Sequence, residues 1–98
     1  MIQEFADEGT EDIYNNDNTK KARQTCPKEL WRTAQKKFTF LNTAQELNDL
    51  RVLPGNQLES LSGNRKGQYS IRINDQYRIC FRWTDIGPTD VEIIDYHD

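Results

Sequence analysis

The chain ends Asp95-Tyr96-His97-Asp98, and His97 is its only histidine. An imidazole takes and gives protons near neutral pH, a neighbouring carboxylate can serve as the base or orient it, and a phenol can donate a proton. Upstream, Arg72 and Arg78 flank a polar Asn74-Asp75-Gln76. Their guanidinium groups suit phosphate oxygens. Together these are the parts needed to cleave RNA through its own 2′-hydroxyl. A base removes the hydroxyl proton, an acid protonates the leaving 5′-oxygen, and cations hold the charge that grows on the phosphate. The acids do not group as an oxygen-ligand Mg²⁺ site, so the expected mechanism uses no metal and no cofactor. Cys26 and Cys80 lack a Cys-x-x-Cys or Cys/His neighbourhood and are expected to be free thiols.

The arginines need a scaffold, and the stretch Gln68 to Trp83 supplies one. Tyr69, Ile71 and Ile73 alternate with polar residues before the Asn74-Asp75-Gln76 turn; Tyr77, Ile79, Phe81 and Trp83 alternate after it. This pattern predicts a β-hairpin. If the two apolar rows share a face, Ile73 stands opposite Tyr77 and Ile71 opposite Ile79, which places Arg72 against Arg78, Ser70 against Cys80 and Gln68 against Arg82. Like charges directly opposed on a sheet cost up to about 1 kcal/mol. An anion lying on that face would remove the cost.

Around the hairpin, Ile2 to Phe5 alternates like a short strand. Thr10 is placed to cap a short helix carrying Ile13 and Tyr14, which the run Asn15-Asn16-Asp17-Asn18 ends. Pro27 at a first helical position and the recurrence of Leu30, Ala34, Phe38 and Leu41 predict a long helix over about 27–42, with Lys28, Arg32, Lys36 and Lys37 outside and Trp31 beside the core. Thr43 to Glu46 has the spacing of a capping box for a second helix carrying Leu47 and Leu50. After the turn Pro54-Gly55-Asn56, residues 57–61 form a brief strand candidate. Gly63 to Gly67 is a basic loop bringing Arg65 and Lys66 to the arginine face, and a last strand runs Asp90 to Asp95. The expected fold is α+β: an N-terminal strand and two helices packed on one face of a small antiparallel sheet, in a single domain of residues 1–98.

The 98 residues carry a net charge of −3, unevenly spread. Residues 1–19 hold six acids and no Lys or Arg, residues 20–82 hold all thirteen basic residues, and residues 83–98 hold five acids. A basic middle suits one local anion-binding surface, whereas the weak overall charge predicts poor affinity for free nucleic acid. No apolar run approaches the roughly 20 residues of a membrane span. A cytoplasmic protein with no membrane partner is expected.

The run Leu53-Pro54-Gly55-Asn56, then Leu58-Glu59, Leu61, Gly63-Asn64-Arg65, Gly67 through Phe81 and the closing Val91 through His97 resembles the HigB group of the RelE/ParE toxin superfamily. The resemblance implies a small bacterial toxin of a type II toxin–antitoxin pair, with a microbial-ribonuclease-like fold, that cuts mRNA in the ribosomal 30S A site. It also implies a HigA-type helix-turn-helix antitoxin as partner and joint repressor of the operon. Carried over by position, Arg78 faces the scissile phosphate, Arg72 matches a basic strand position, and Asp95, Tyr96 and His97 match a catalytic Asp-Tyr-His. Arg65, Lys66 and Arg82 are expected to grip RNA backbone. The chain departs from relatives at Ser70, Ser62 and Glu59, where Lys or His is found. The alternative is a binding module on the same scaffold: an inhibitor of a target such as gyrase, or a catalytically weak antitoxin partner and corepressor.

Overall fold

A computed structural model describes residues 1–96. Among them, helices α1 (Glu8–Tyr14), α2 (Lys20–Thr25), α3 (Trp31–Thr43) and α4 (Leu47–Arg51) precede strands β1 (Glu59–Ser60), β2 (Tyr69–Arg72), β3 (Tyr77–Thr84) and β4 (Gly87–Asp95). The strands pair antiparallel in chain order, β1-β2-β3-β4. The expected α+β class holds. One face of the sheet contributes Ile71, Ile73, Ile79, Phe81, Val91 and Ile93 to the core, where they meet Ile13, Trp31, Ala34, Phe38, Leu41 and Leu50 from the helices.

The hairpin has the predicted register: Ser70 pairs with Cys80, Ile71 with Ile79 and Arg72 with Arg78. Its loop is closed by the Asn74 side chain, whose Oδ1 accepts from the amides of Gln76 at 2.9 Å and Tyr77 at 2.7 Å. Asn suits this place because its short amide can replace a backbone acceptor within a turn.

The helical half departs from expectation in several places. Asp7, not Thr10, caps α1, its Oδ1 accepting from the Thr10 amide at 2.7 Å. Thr10 is instead buried, and its Oγ1 accepts the Ile93 amide of β4 at 3.0 Å. Helix α2 was not anticipated, because its sequence Lys-Lys-Ala-Arg-Gln-Thr sends only Ala22 into the core. Pro27 opens a 3-10 turn over Lys28–Leu30, so the long α-helix begins at Trp31. Thr43 closes that helix, and the capping box is formed by Glu46 and Asp49 ahead of α4.

The N-terminal stretch is extended and makes a single parallel bridge, Phe5 to Val91, rather than a full strand. The amides of Gln3 and Ala6 donate to the carbonyls of Pro88 and Val91, and the Val91 amide donates to Glu4. These bonds cover the outer edge of β4, which would otherwise present unpaired backbone. β4 begins at Gly87 instead of Asp90, and its register with β3 slips between Cys80 and Arg82, with Asp90 at φ +52°.

Candidate active site

Because side chains alternate across a strand, Ser70 and Arg72 of β2 and Arg78 and Cys80 of β3 leave the sheet on the face away from the helices. Arg78 is not spread into solvent there; only 6% of it is exposed. Its Nε donates to Ser70 Oγ at 2.7 Å, and its Nη2 donates to the Gln57 carbonyl at 2.6 Å. Gln57 takes the left-handed backbone, φ +45°, where it offers that carbonyl. The guanidinium carbon lies 5.7 Å from the centre of the Tyr96 ring, within cation–π range.

All of these partners are neutral. Among the described residues Arg78 forms no ion pair, and its Nη1 has no hydrogen-bond acceptor. Arginine does not lose its proton in proteins, and a buried charge without a counter-charge costs several kcal/mol. A phosphate has the charge and the acceptor oxygens to match this guanidinium. Arg72, opposite Arg78 in the register, turns outward and pairs with Asp75, an acid almost wholly in water. Such a pair holds its cation weakly. The predicted arginine–arginine opposition is thus resolved by burying one guanidinium and sending the other to the rim.

The C-terminal residues divide. Tyr96 is anchored by its amide, which donates to the Gln76 carbonyl at 2.6 Å, and its ring lies over Arg78. Asp95 stands opposite Tyr77, whereas Arg78 stands opposite Ile94, so Asp95 leaves the sheet on the other face. Its Oδ2 accepts from Gln76 Nε2 at 3.1 Å. Burial raises the Tyr77 phenol pKa first, and the charges of Asp95 and Cys26 raise it further. His97 lies outside the described residues.

The expected RNA grips are partly occupied. Arg65 pairs with Glu92 at 3.1 Å and Arg82 with Asp90 at 3.3 Å, while Lys66 is exposed. Both cysteines are free and buried, and burial pushes each thiol up to about 11. At neutral pH neither is a nucleophile. No group of three or more His, Cys, Asp or Glu capable of holding a metal occurs among the described residues.

Sequence reasoning misplaced Lys37. Expected on the outer face of the long helix, it is 7% exposed, and its Nζ donates to Asn56 Oδ1 at 2.8 Å. The only available hint was position: Lys37 falls on the same helical stripe as Ala34, Phe38 and Leu41.

A family model described as RelE-like toxin of type II toxin–antitoxin system HigB matches residues 3–97. Toxin HigB-1 of Vibrio cholerae is 41% identical over 85 residues, spanning 87% of this chain and 86% of its own. In fold the chain is similar to a YoeB–YefM complex from Staphylococcus aureus, with a TM-score of 0.62 at 21% identity over 100% of this chain and 99% of that one. A YoeB dimer from the same organism gives 0.59 at 23% identity over 99% and 95%. Among the described residues no helix is long and apolar enough to cross a membrane. With a whole-length family match and a close toxin relative, this chain belongs to the HigB-like, RelE-like toxins of type II toxin–antitoxin systems.

Proposed function

We propose that the chain is a ribosome-dependent mRNA endoribonuclease that arrests translation by metal-independent cleavage through the 2′-hydroxyl. The observation that carries this reading is Arg78, a buried guanidinium whose partners among the described residues are neutral and over which the Tyr96 ring lies, a setting that suits an anion. Arg78 and Arg72 hold the charge that builds on the scissile phosphate. His97 takes the 2′-hydroxyl proton, the oxygen attacks phosphorus to form a cyclic phosphate, and Tyr96 donates its proton to the leaving 5′-oxygen. Asp95, on the opposite face, anchors this terminal segment through Gln76.

The charge distribution supports dependence on the ribosome. With Arg65 and Arg82 already paired to acids and a net charge of −3, free RNA is held poorly, and a preorganised ribosomal A site presents the phosphate instead. Lys66 and the paired arginines line the approach of the message. The partner that silences the toxin is a HigA-type helix-turn-helix antitoxin, and the setting is the bacterial cytoplasm.

The same pairing of Arg65 and Arg82 favours a second reading, a scaffold that binds a target such as gyrase, or its antitoxin, without cleaving RNA. Growth arrest in cells expressing His97→Ala separates the two. Loss of arrest with retained antitoxin binding supports the nuclease, and full arrest without His97 supports the binder.

A further inference from the structure

Gln57 carries a backbone that its side chain does not call for. Its φ of +45° and ψ of 56° lie in the left-handed region, which few residues other than Gly, Asn and Asp adopt, and its side chain is exposed. Such a conformation persists only where its surroundings impose it. The residue before it is the one so placed.

Asn56 is fully buried and held at three points. Its Oδ1 accepts from Lys37 Nζ of α3 at 2.8 Å, its Nδ2 donates to the Leu50 carbonyl of α4 at 3.1 Å, and its amide donates to the Leu53 carbonyl at 3.0 Å. Among the described residues Lys37 forms no ion pair. A buried ammonium without a counter-charge costs stability that an apolar side chain would not. Stability alone therefore does not account for the bond from Lys37 to Asn56.

The side chain of Asn56 is bonded to the helical layer, yet the next carbonyl, that of Gln57, accepts from Arg78 Nη2 at 2.6 Å on the other face of the sheet. The chain crosses between the faces in this one step, just before Glu59 of β1 pairs with Ser70. Arg78 is thus held from two sides, with Nε on Ser70 Oγ and Nη2 on Gln57, and Nη1 is left without an acceptor among the described residues. The position of the Gln57 carbonyl decides which edge of the guanidinium an anion meets.

We propose that Asn56 is a positioning residue for Arg78: clamped by Lys37 and Leu50, it fixes the left-handed Gln57 carbonyl that turns Nη1 toward the scissile phosphate. The phosphate rests on the nuclease reading; the aim of the guanidinium does not. Neither Asn56 nor Lys37 meets the RNA, and each acts through Gln57.

Two variants test this. Asn56→Ala removes both side-chain clamps. Lys37→Met removes one, keeps the Leu50 bond and replaces a buried charge by an apolar chain, so it folds even where Asn56→Ala does not, and it then decides alone. The side-chain nitrogen resonances of isotopically labelled Arg78, assigned by their loss in Arg78→Lys, read the aim directly. In the wild-type chain Nη1 and Nη2 are resolved, because the bonds to Gln57 and Ser70 hinder their exchange; in both variants they merge. Single-turnover cleavage on programmed ribosomes falls about 100-fold in Asn56→Ala and about tenfold in Lys37→Met, with KM for the ribosome unchanged. Merged signals in the wild type, or wild-type signals in Lys37→Met, overturn the proposal. So does a loss of cleavage that lies in KM alone or matches the fraction of chain unfolded, as measured by urea titration. If the wild-type chain cuts no ribosome-bound message, the nuclease reading fails, and the Arg78 resonances, which need no RNA, still decide the positioning.

Discussion

Arg78 and Asp95 leave the sheet on opposite faces, although they lie near each other on paired strands. Arg78 stands opposite Ile94, and Asp95 stands opposite Tyr77 one step along. One position along a strand is a change of face. The guanidinium therefore shares its surface with Tyr96, while the Asp95 carboxylate accepts from Gln76 on the other face.

This division separates two substitutions that sequence alone would treat alike. Tyr96→Phe keeps the ring over Arg78 and removes the hydroxyl proposed as the proton donor, so cleavage is expected to fall about 10²–10⁴-fold while unfolding stability changes by under about 0.5 kcal/mol. Asp95→Asn keeps the shape at Gln76 and lowers cleavage by less than about tenfold. Single-turnover cleavage on programmed ribosomes, with urea unfolding of each variant, measures both.

Ser70 is the support of the arginine. Ser70→Ala leaves the buried Nε of Arg78 without an acceptor, which costs about 1–3 kcal/mol. Urea midpoints should fall accordingly with an unchanged m-value. Cleavage should fall as well, because the guanidinium loses one of the three hydrogen bonds that aim it.

Thr10 fastens the first helix to the sheet. Thr10→Val preserves the side-chain shape but orphans the buried Ile93 amide, with an expected loss of about 1–3 kcal/mol. Hydrogen exchange at Ile93 should accelerate more than at Ile79, whose partners lie within the sheet.

The buried thiols make the fold sensitive to alkali. Folded Cys26 and Cys80 ionise near 11 instead of the ordinary 9.0, so between those values the unfolded chain gives up protons that the folded chain keeps. Stability is fully present below about pH 9 and is lost as pH rises toward 11. The lowered pKa of Lys37 acts in the opposite sense, because the unfolded lysine keeps a proton that the folded one releases, and stability rises with pH through that window. Comparing Cys80→Ala with wild type at pH 8 and pH 10.5 isolates the thiol, and the variant should lose less stability over that interval.

The hairpin was legible because period-two alternation on both sides of an Asn-led turn leaves one register that buries both apolar rows. Helix α2 was hidden because a two-turn helix with one core residue, Ala22, carries no periodic signal. The boundaries near Thr10 and Thr43 failed for a shared reason: each threonine fits a cap, but each spends its hydroxyl elsewhere, Thr10 on β4 and Thr43 on the Thr39 carbonyl. The structure brings Tyr96 over Arg78 and sets Arg72 opposite Arg78 in the register. Residue type could not disclose that Arg78 is buried beneath Tyr96, or that Lys37 turns inward, because both depend on the path of the Pro54–Gln57 segment.

Primer extension on a reporter mRNA after brief expression of the wild-type chain, beside the same message with its start codon destroyed, tests the central claim most directly. Cuts confined to the translated message are the expected result. Cuts in both messages would contradict dependence on the ribosome, and growth arrest without cuts in either would contradict the nuclease.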